Sequence, residues 1–185
     1  MNIPNRKQCF QIIHDMEMMD HIIDHSIMVG NVALCLGRAL KKTSPGLNIE
    51  LTTAAALLHD ITKTRSFATG ELHSKTGGAL IRKMGYPEVG DIIRQHVMLD
   101  HSGPDAPVSE EEIVNYADKR VLHDRVVSLD RRLEYIRVHY GTKHKFRDRI
   151  AHMWEMTTGL EEKLFRQLPF RPSQLRDRIL EEIKR

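Results

Sequence analysis

Aromatic side chains are scarce, at 5% of 185 residues with a single tryptophan. β-Sandwiches and barrels draw on aromatic and β-branched residues. The apolar stock here is mostly Leu, Ile, Val, Ala and Met, a mix that favours packed helices. Cysteine is nearly missing: Cys9 and Cys35 stand alone, neither in a CxxC pair. A disulfide framework is thereby excluded, and both thiols are expected to pack as small buried hydrophobes. Apolar runs are short, Ala54–Leu58 being among the longest, whereas roughly 20 apolar residues are needed to span a bilayer. No membrane contact is expected. The N-terminus, Met1 to Arg6, lacks the charged-then-apolar pattern of a secretory signal, so a cytoplasmic address is expected.

What remains is enough for a core. Hydrophobic residues make up 41% and charged residues 29%, which rules out global disorder. The net charge of +3 conceals an asymmetry: residues 1–118 carry 11 basic and 15 acidic side chains, residues 119–185 carry 17 and 10. The basic third could meet an anionic partner, but it lacks a glycine-rich or aromatic-interleaved recognition motif. A solvated helical surface is the simpler reading, and nucleic acid is not an expected partner.

Periodicity predicts helices throughout. Residues 19–42 place Ile22, Ile23, Val29, Val32, Ala33, Leu36 and Leu40 at spacings of three and four, stopped by Ser44-Pro45-Gly46. A second helix is expected from Leu51 to His59-Asp60, capped by Thr52 or Thr53 and buried on nearly every side. Residues 64–71 read as a loop, 74–83 and 89–98 as helices, and 100–107 as a loop. Ser109 with Glu112 forms a capping-box pattern that opens a helix reaching Leu122. Leu129–Tyr140, Asp148–Gln167 and Ser173–Lys184 complete the set. The expected fold class is all-α, a single-domain helical bundle with residues 1–128 as its core and 129–185 as a C-terminal extension packed on it.

Histidine is abundant, with 11 copies. His59-Asp60 ends the Ala/Leu-rich helix, and burying an imidazole beside a carboxylate is costly unless a partner compensates. A hydrogen-bonded pair terminating the helix would suffice, but the surroundings add more. His25 lies among core-facing residues of the preceding helix. His73 opens the next one, His96 ends the following one, and Asp118 sits on a helix with an apolar face. Five consecutive helices each contribute an imidazole or carboxylate.

This order resembles the HD-domain superfamily of metal-dependent phosphohydrolases over about residues 20–125. The resemblance implies His25, His59, Asp60 and Asp118 as metal ligands, with His73 and His96 added in the branch that holds two ions. In that branch His-Asp-Ile-Gly-Lys is common, and here Thr62 replaces the glycine. The stretch from Leu72 to His96 is similar to the bacterial symmetrical diadenosine-tetraphosphate hydrolase and related small stand-alone proteins. The cyclic-dinucleotide phosphodiesterase branch, marked by a Gly-Tyr-Pro signature, is not the one expected.

The chemistry implied is hydrolysis of a phosphoester or phosphoanhydride, with the cofactor a divalent transition metal, one or two ions. Mixed imidazole and carboxylate ligands suit Fe, Mn, Co, Ni or Zn. Such an ion acidifies water and neutralises phosphoryl oxygens. Asp60 is the expected bridging, catalytic carboxylate. Lys63, three residues on, is the expected second catalytic and substrate-binding group, unless it only pairs with Asp60. Arg65 and His101 are weaker substrate-contact candidates. His21 is expected outside the ligand set, and His14, His123, His139, His144 and His152 as structural or exposed. The expected partner is a small phosphorylated substrate, a nucleotide by preference, and a homodimer is possible. The alternative is a non-catalytic metal- or nucleotide-binding signalling module.

Overall fold

Helices carry the architecture, and their order sets which residues meet. The computed structural model describes the backbone of residues 1–140 and 144–183, and the side chains of 1–139 and 148–183. Its helices are α1 Arg6–Asp15, α2 Asp20–Leu40, α3 Ile49–Leu58, α4 Lys63–Thr69, α5 His73–Lys83, α6 Pro87–Gln95 and α7 Glu110–Lys119. These are followed by α8 Leu129–Tyr140, α9 His144–Phe165, a 3₁₀ turn Pro172–Gln174 and α10 Leu175–Ile183. The fold is all-α. Its only sheet among the described residues pairs β1 Val121–Leu122 with β2 Arg125–Val126.

Helix α3 is the hub. Seven of its residues, from Leu51 to Leu58, are buried, and it packs against α1, α2, α6 and α7. Its cap is Asn48 rather than Thr52 or Thr53: the Asn48 carboxamide oxygen accepts the Leu51 N–H at 3.0 Å. Both threonines instead donate back to carbonyls four residues earlier, a bond a helix-interior threonine readily makes. The Ser109–Glu112 capping box forms in both directions.

Three local features depart from the sequence pattern. Helix α1 is capped by a reciprocal Asn5–Gln8 box and buries only Cys9 and Ile13, too little apolar face to stand out. Residues 64–69 are helical rather than looped. Helix α4 has no buried residue and ends at Gly70, whose φ of 71° suits glycine, so it carries no apolar period. The β1–β2 hairpin is too short to alternate, and His123 at its turn adopts a φ of 55°. The last expected residue of the final helix, Lys184, lies outside the described residues, as does the His144 side chain.

The C-terminal elements share the core. Leu160 and Leu164 of α9 and Leu175 and Ile179 of α10 join the same buried cluster as α2 and α3. Not all of the basic third is solvated: Lys119, Arg120 and Lys163 are buried among polar partners. Among the described residues no helix is long and apolar enough to cross a membrane.

Both cysteines are buried and free. Burial pushes the Cys9 thiol up to about 11 and the Cys35 thiol up to about 12, from 9.0. Folding therefore favours the neutral thiols, a contribution intact below pH 9.0 and lost as pH rises through those native values. Native protein near pH 8 is expected to resist a maleimide and to take two labels once unfolded, as counted by mass spectrometry. Rapid labelling without denaturant would contradict the buried placement.

Helices α5 and α6 approach so closely that only glycine fits between them. A Cβ on Gly78 would stand 2.6 Å from the Gly90 carbonyl oxygen, and one on Gly90 would stand 2.5 Å from that of Gly78. The obstacle is backbone, which cannot swing aside. Gly78→Ala is expected to cost about 1–3 kcal/mol through overpacking, despite the roughly 1 kcal/mol that alanine gains in a helix interior. Gly159→Ala, in α9 with open space around it, should show only that gain. Urea denaturation of the two variants separates packing from propensity.

Candidate metal centre

The Gly78–Gly90 contact has a consequence at the ends of its two helices. His73 opens α5 and His96 follows α6, and their Nε2 atoms stand 3.2 Å apart. Thr62 helps set this position. Its hydroxyl donates to the His73 carbonyl at 2.9 Å and lies 2.9 Å from the Thr76 hydroxyl. The threonine thus turns toward α5.

Three imidazoles are anchored in the same way. Nδ1 of His25 donates to the His123 carbonyl (2.9 Å), that of His59 to the Ala56 carbonyl (2.8 Å), and that of His96 to the Ile93 carbonyl (2.7 Å). Carbonyls only accept, so each Nδ1 carries a proton, and in the neutral ring the Nε2 lone pair turns inward. The left-handed turn at His123 brings its carbonyl to the α2 histidine. The sequence offered no signal for it beyond a His-Asp turn between two short apolar pairs.

Those lone pairs face carboxylates. His25 Nε2 lies 3.1 Å from Asp118 Oδ1 and 4.0 Å from Asp60 Oδ2, and His59 Nε2 lies 3.2 Å from Asp60 Oδ2 and 3.8 Å from Asp118 Oδ1. The other oxygen, Asp60 Oδ1, is 3.2 Å from His73 Nε2 and 3.6 Å from His96 Nε2. Asp60 thereby divides its two oxygens between two pairs of histidines. His59 Nε2 and Asp60 Oδ1 are fully buried with no hydrogen-bond partner among the described residues. With the rings neutral, acceptors converge on acceptors in a buried site, which fits a cation between them, and their spacing suits ligand atoms held around an ion at roughly 2.0–2.2 Å. The triads His25, His59, Asp118 and His59, Asp60, His96 each have the geometry to hold one.

The electrostatics agree. Burial disfavours the Asp60 carboxylate, but His59 and Lys63 outweigh burial and hold it well below the usual range. Burial is likewise outweighed at Asp118 by Lys119, His25 and Arg132. Both are ionised at neutral pH. Burial lowers His25 and, more strongly, His96, which His59 lowers further. At His59 the neighbouring Asp60 overcomes burial and raises the imidazole, so a cation bound there would displace a proton from Nε2.

Lys63 caps the centre. Its ammonium donates to Asp60 Oδ2 at 2.7 Å while a quarter of the side chain stays exposed, lining a cavity of about 380 Å³ above the centre. The other expected substrate contacts do not line this cavity. Arg65 turns outward to Glu71 at 2.8 Å, and His101 is exposed in the loop after α6. His14, His21, His123, His139 and His152 are exposed. Arg132, Arg149 and Lys119 do line the cavity, and sequence reasoning had not singled them out.

The family model described as HD domain matches residues 22–122. Over 96 residues the chain is 31% identical to tRNA (cytidine(56)-2'-O)-methyltransferase of Thermoplasma volcanium, covering 51% of this chain and 26% of that protein. It is 25% identical over 138 residues to an uncharacterized protein of Methanocaldococcus jannaschii, covering 68% and 80%. Ribonuclease Y of Pseudothermotoga lettingae is 30% identical over 94 residues, 51% of this chain and 17% of that enzyme. The chain thus spans about a quarter or less of the two relatives with named activities. No solved structure matches it. The match runs from α2 to β1 and includes all six convergent residues, and the chain belongs to the HD domain family.

Proposed function

We propose that the chain is a metal-dependent phosphohydrolase. The observation that carries this reading is the ring of inward Nε2 atoms around two ionised carboxylates, with His59 Nε2 and Asp60 Oδ1 buried and unpartnered. His25, His59, Asp60 and Asp118 would hold one divalent transition metal, and Asp60, His73 and His96 a second. Such ions supply Lewis acidity and lower the pKa of water to about 7.

The chain's own groups do the rest. Backbone carbonyls fix the tautomers of His25, His59 and His96, so no ring must reorient during turnover. Lys63 is raised, because Asp60 and Asp118 outweigh its burial, and it remains a cation that can hold a phosphate oxygen beside Asp60. Part of the cavity wall is apolar, formed by residues that include Phe67, Ile136 and Met153.

The substrate class narrows only by assay. Gly85-Tyr86-Pro87 carries the three residues of that signature, leading from α5 into the first residue of α6, with Gly85 at φ 92°. Its presence removes the ground for setting cyclic dinucleotides aside. Two relatives have RNA-directed names, which favours RNA as a second substrate class. The panel therefore includes nucleoside monophosphates, a dinucleoside polyphosphate, guanosine tetraphosphate, a cyclic dinucleotide and a 5′-phosphorylated oligoribonucleotide.

The test is metal content by plasma mass spectrometry on untagged protein, paired with phosphate release on that panel after reconstitution with Mn, Fe, Co, Ni or Zn. The expected result is one to two ions per chain and turnover that a chelator abolishes. No bound metal under any reconstitution would overturn the reading. Metal with saturable nucleotide binding and no turnover would replace it with a non-catalytic signalling module.

A further inference from the structure

The cavity above the centre is only partly built by the family-matched region. Lys63 and Phe67 of α4 line one flank, while Arg132 and Ile136 come from α8 and Arg149 and Met153 from α9. Both of these helices lie beyond residue 122, where the family match ends.

Arg132 is the unusual member. Its side chain is only 13% exposed, and its guanidinium stands 5.8 Å over the Tyr135 ring. Its nearest anion is Asp118 Oδ1, 3.6 Å from Nη2. That oxygen already faces His25 at 3.1 Å, and the other Asp118 oxygen accepts from Lys119 at 2.8 Å. Nε of Arg132 is buried with no hydrogen-bond partner among the described residues. A guanidinium offers five donors in a planar fork that matches two oxygens of one anion. Leaving such a donor buried and unpaired is costly, and no carboxylate of the described cavity wall is free to take it.

The charge around the cavity points to the kind of anion. Lys63, Lys119, Arg132 and Arg149 face Asp60 and Asp118, an excess of two positive charges before any metal ion is counted. A terminal phosphate carries about −1.5 to −2 at neutral pH, and an internal phosphodiester carries half of that or little more. We infer that Arg132 and Lys63 form an anion clamp across the centre for a terminal phosphate, so that α8 and α9 complete the substrate site. Phe67, 61% exposed, shares the cavity with Ile136 and Met153 and offers the remainder of that substrate an apolar surface. The inference rests on the phosphohydrolase reading and extends it to residues the family match does not reach.

The probe is radiolabelled inorganic phosphate, measured by equilibrium dialysis on chain reconstituted with Mn, with metal content determined in the same samples. Arg132→Gln is expected to keep its metal and to weaken phosphate binding roughly 10- to 100-fold, the loss of charge-assisted hydrogen bonds. Arg132→Lys keeps the charge without the fork and should fall between. Arg137→Gln, exposed on the same helix and paired with Glu134, should match the wild type. Unchanged phosphate affinity in Arg132→Gln overturns the clamp and leaves the phosphohydrolase reading standing. Loss of metal from both Arg132 variants overturns it as well, because Arg132 would then serve to hold Asp118. A wild-type chain that binds neither metal nor phosphate ends both readings. If Arg132→Gln instead loses single-stranded RNA at unchanged phosphate affinity, the clamp is overturned in favour of a polynucleotide contact.

Discussion

Asp60→Ala is expected to strip metal from both halves of the centre at once and to lower any metal-dependent turnover by about three orders of magnitude or more. Such a loss corresponds to about 4 kcal/mol of transition-state stabilisation. The reason is the division of one carboxylate. Asp60 Oδ2 serves the side of His25 and His59, and Oδ1 serves the side of His73 and His96. His59 belongs to both triads, but with its Nδ1 tied to Ala56 it has a single Nε2 to give, whereas Asp60 offers one oxygen to each half. His73→Ala should behave differently, because His73 faces only Oδ1 and its helix start is exposed enough to tolerate truncation. Its expected signature is loss of one ion with the other retained. Plasma mass spectrometry on the two variants gives the decisive comparison. Equal losses from both would show that the centre is indivisible, and full metal content in Asp60→Ala would remove Asp60 from the ligand set.

Much of this arrangement is legible in the residue order. His25 sits among core-facing positions of a periodic helix, and His59-Asp60 ends a helix apolar on all sides. Ser109 and Glu112 announce the helix that carries Asp118. Each of these signals is local, so spacing and resemblance could find it. The missed features are those without a local mark. Helix α4 is solvent-exposed and lacks an apolar stripe, so residues 64–69 looked like a loop. The His123 carbonyl gains its role only because a two-residue hairpin brings it to His25, 98 positions away in the chain. Arg132 and Arg149 look like ordinary members of a basic helical surface until α8 and α9 fold over the centre. Arg65 lies off the cavity wall for the opposite reason: proximity in sequence to Asp60 did not place it there, because one turn of α4 directs it to Glu71. Sequence distance from a motif is a poor guide to a pocket wall that later helices supply.

The basic C-terminal third contains the second large effect. Lys163 of α9 donates to Glu112 Oε1 of α7 at 2.7 Å, and both side chains are about 4% exposed or less. Ser102 donates to the same oxygen at 2.9 Å, and the Ser109 N–H reaches Oε2 at 3.2 Å. A second tie runs beside it: the Tyr116 hydroxyl donates to Glu161, and Arg120 reaches Glu161 at 3.1 Å and the Pro172 carbonyl at 2.9 Å. These polar links fasten α9 to the helix bearing Asp118. Lys163→Met removes the ammonium but leaves Glu112 charged and out of water, a defect that costs about 3–5 kcal/mol. For a chain of this size the expected fall in Tm is roughly 10 °C. Adding Glu112→Gln should recover much of the loss, since glutamine keeps the capping box and no buried charge is then stranded. Calorimetry on the single and double variants measures the coupling. Metal content well below the lowered Tm should stay at the wild-type level, because every proposed ligand lies between α2 and α7. If the single variant melts with the wild type, the pair is not buried as described. If it loses metal while still folded, α9 supports the centre directly rather than only walling the cavity above it.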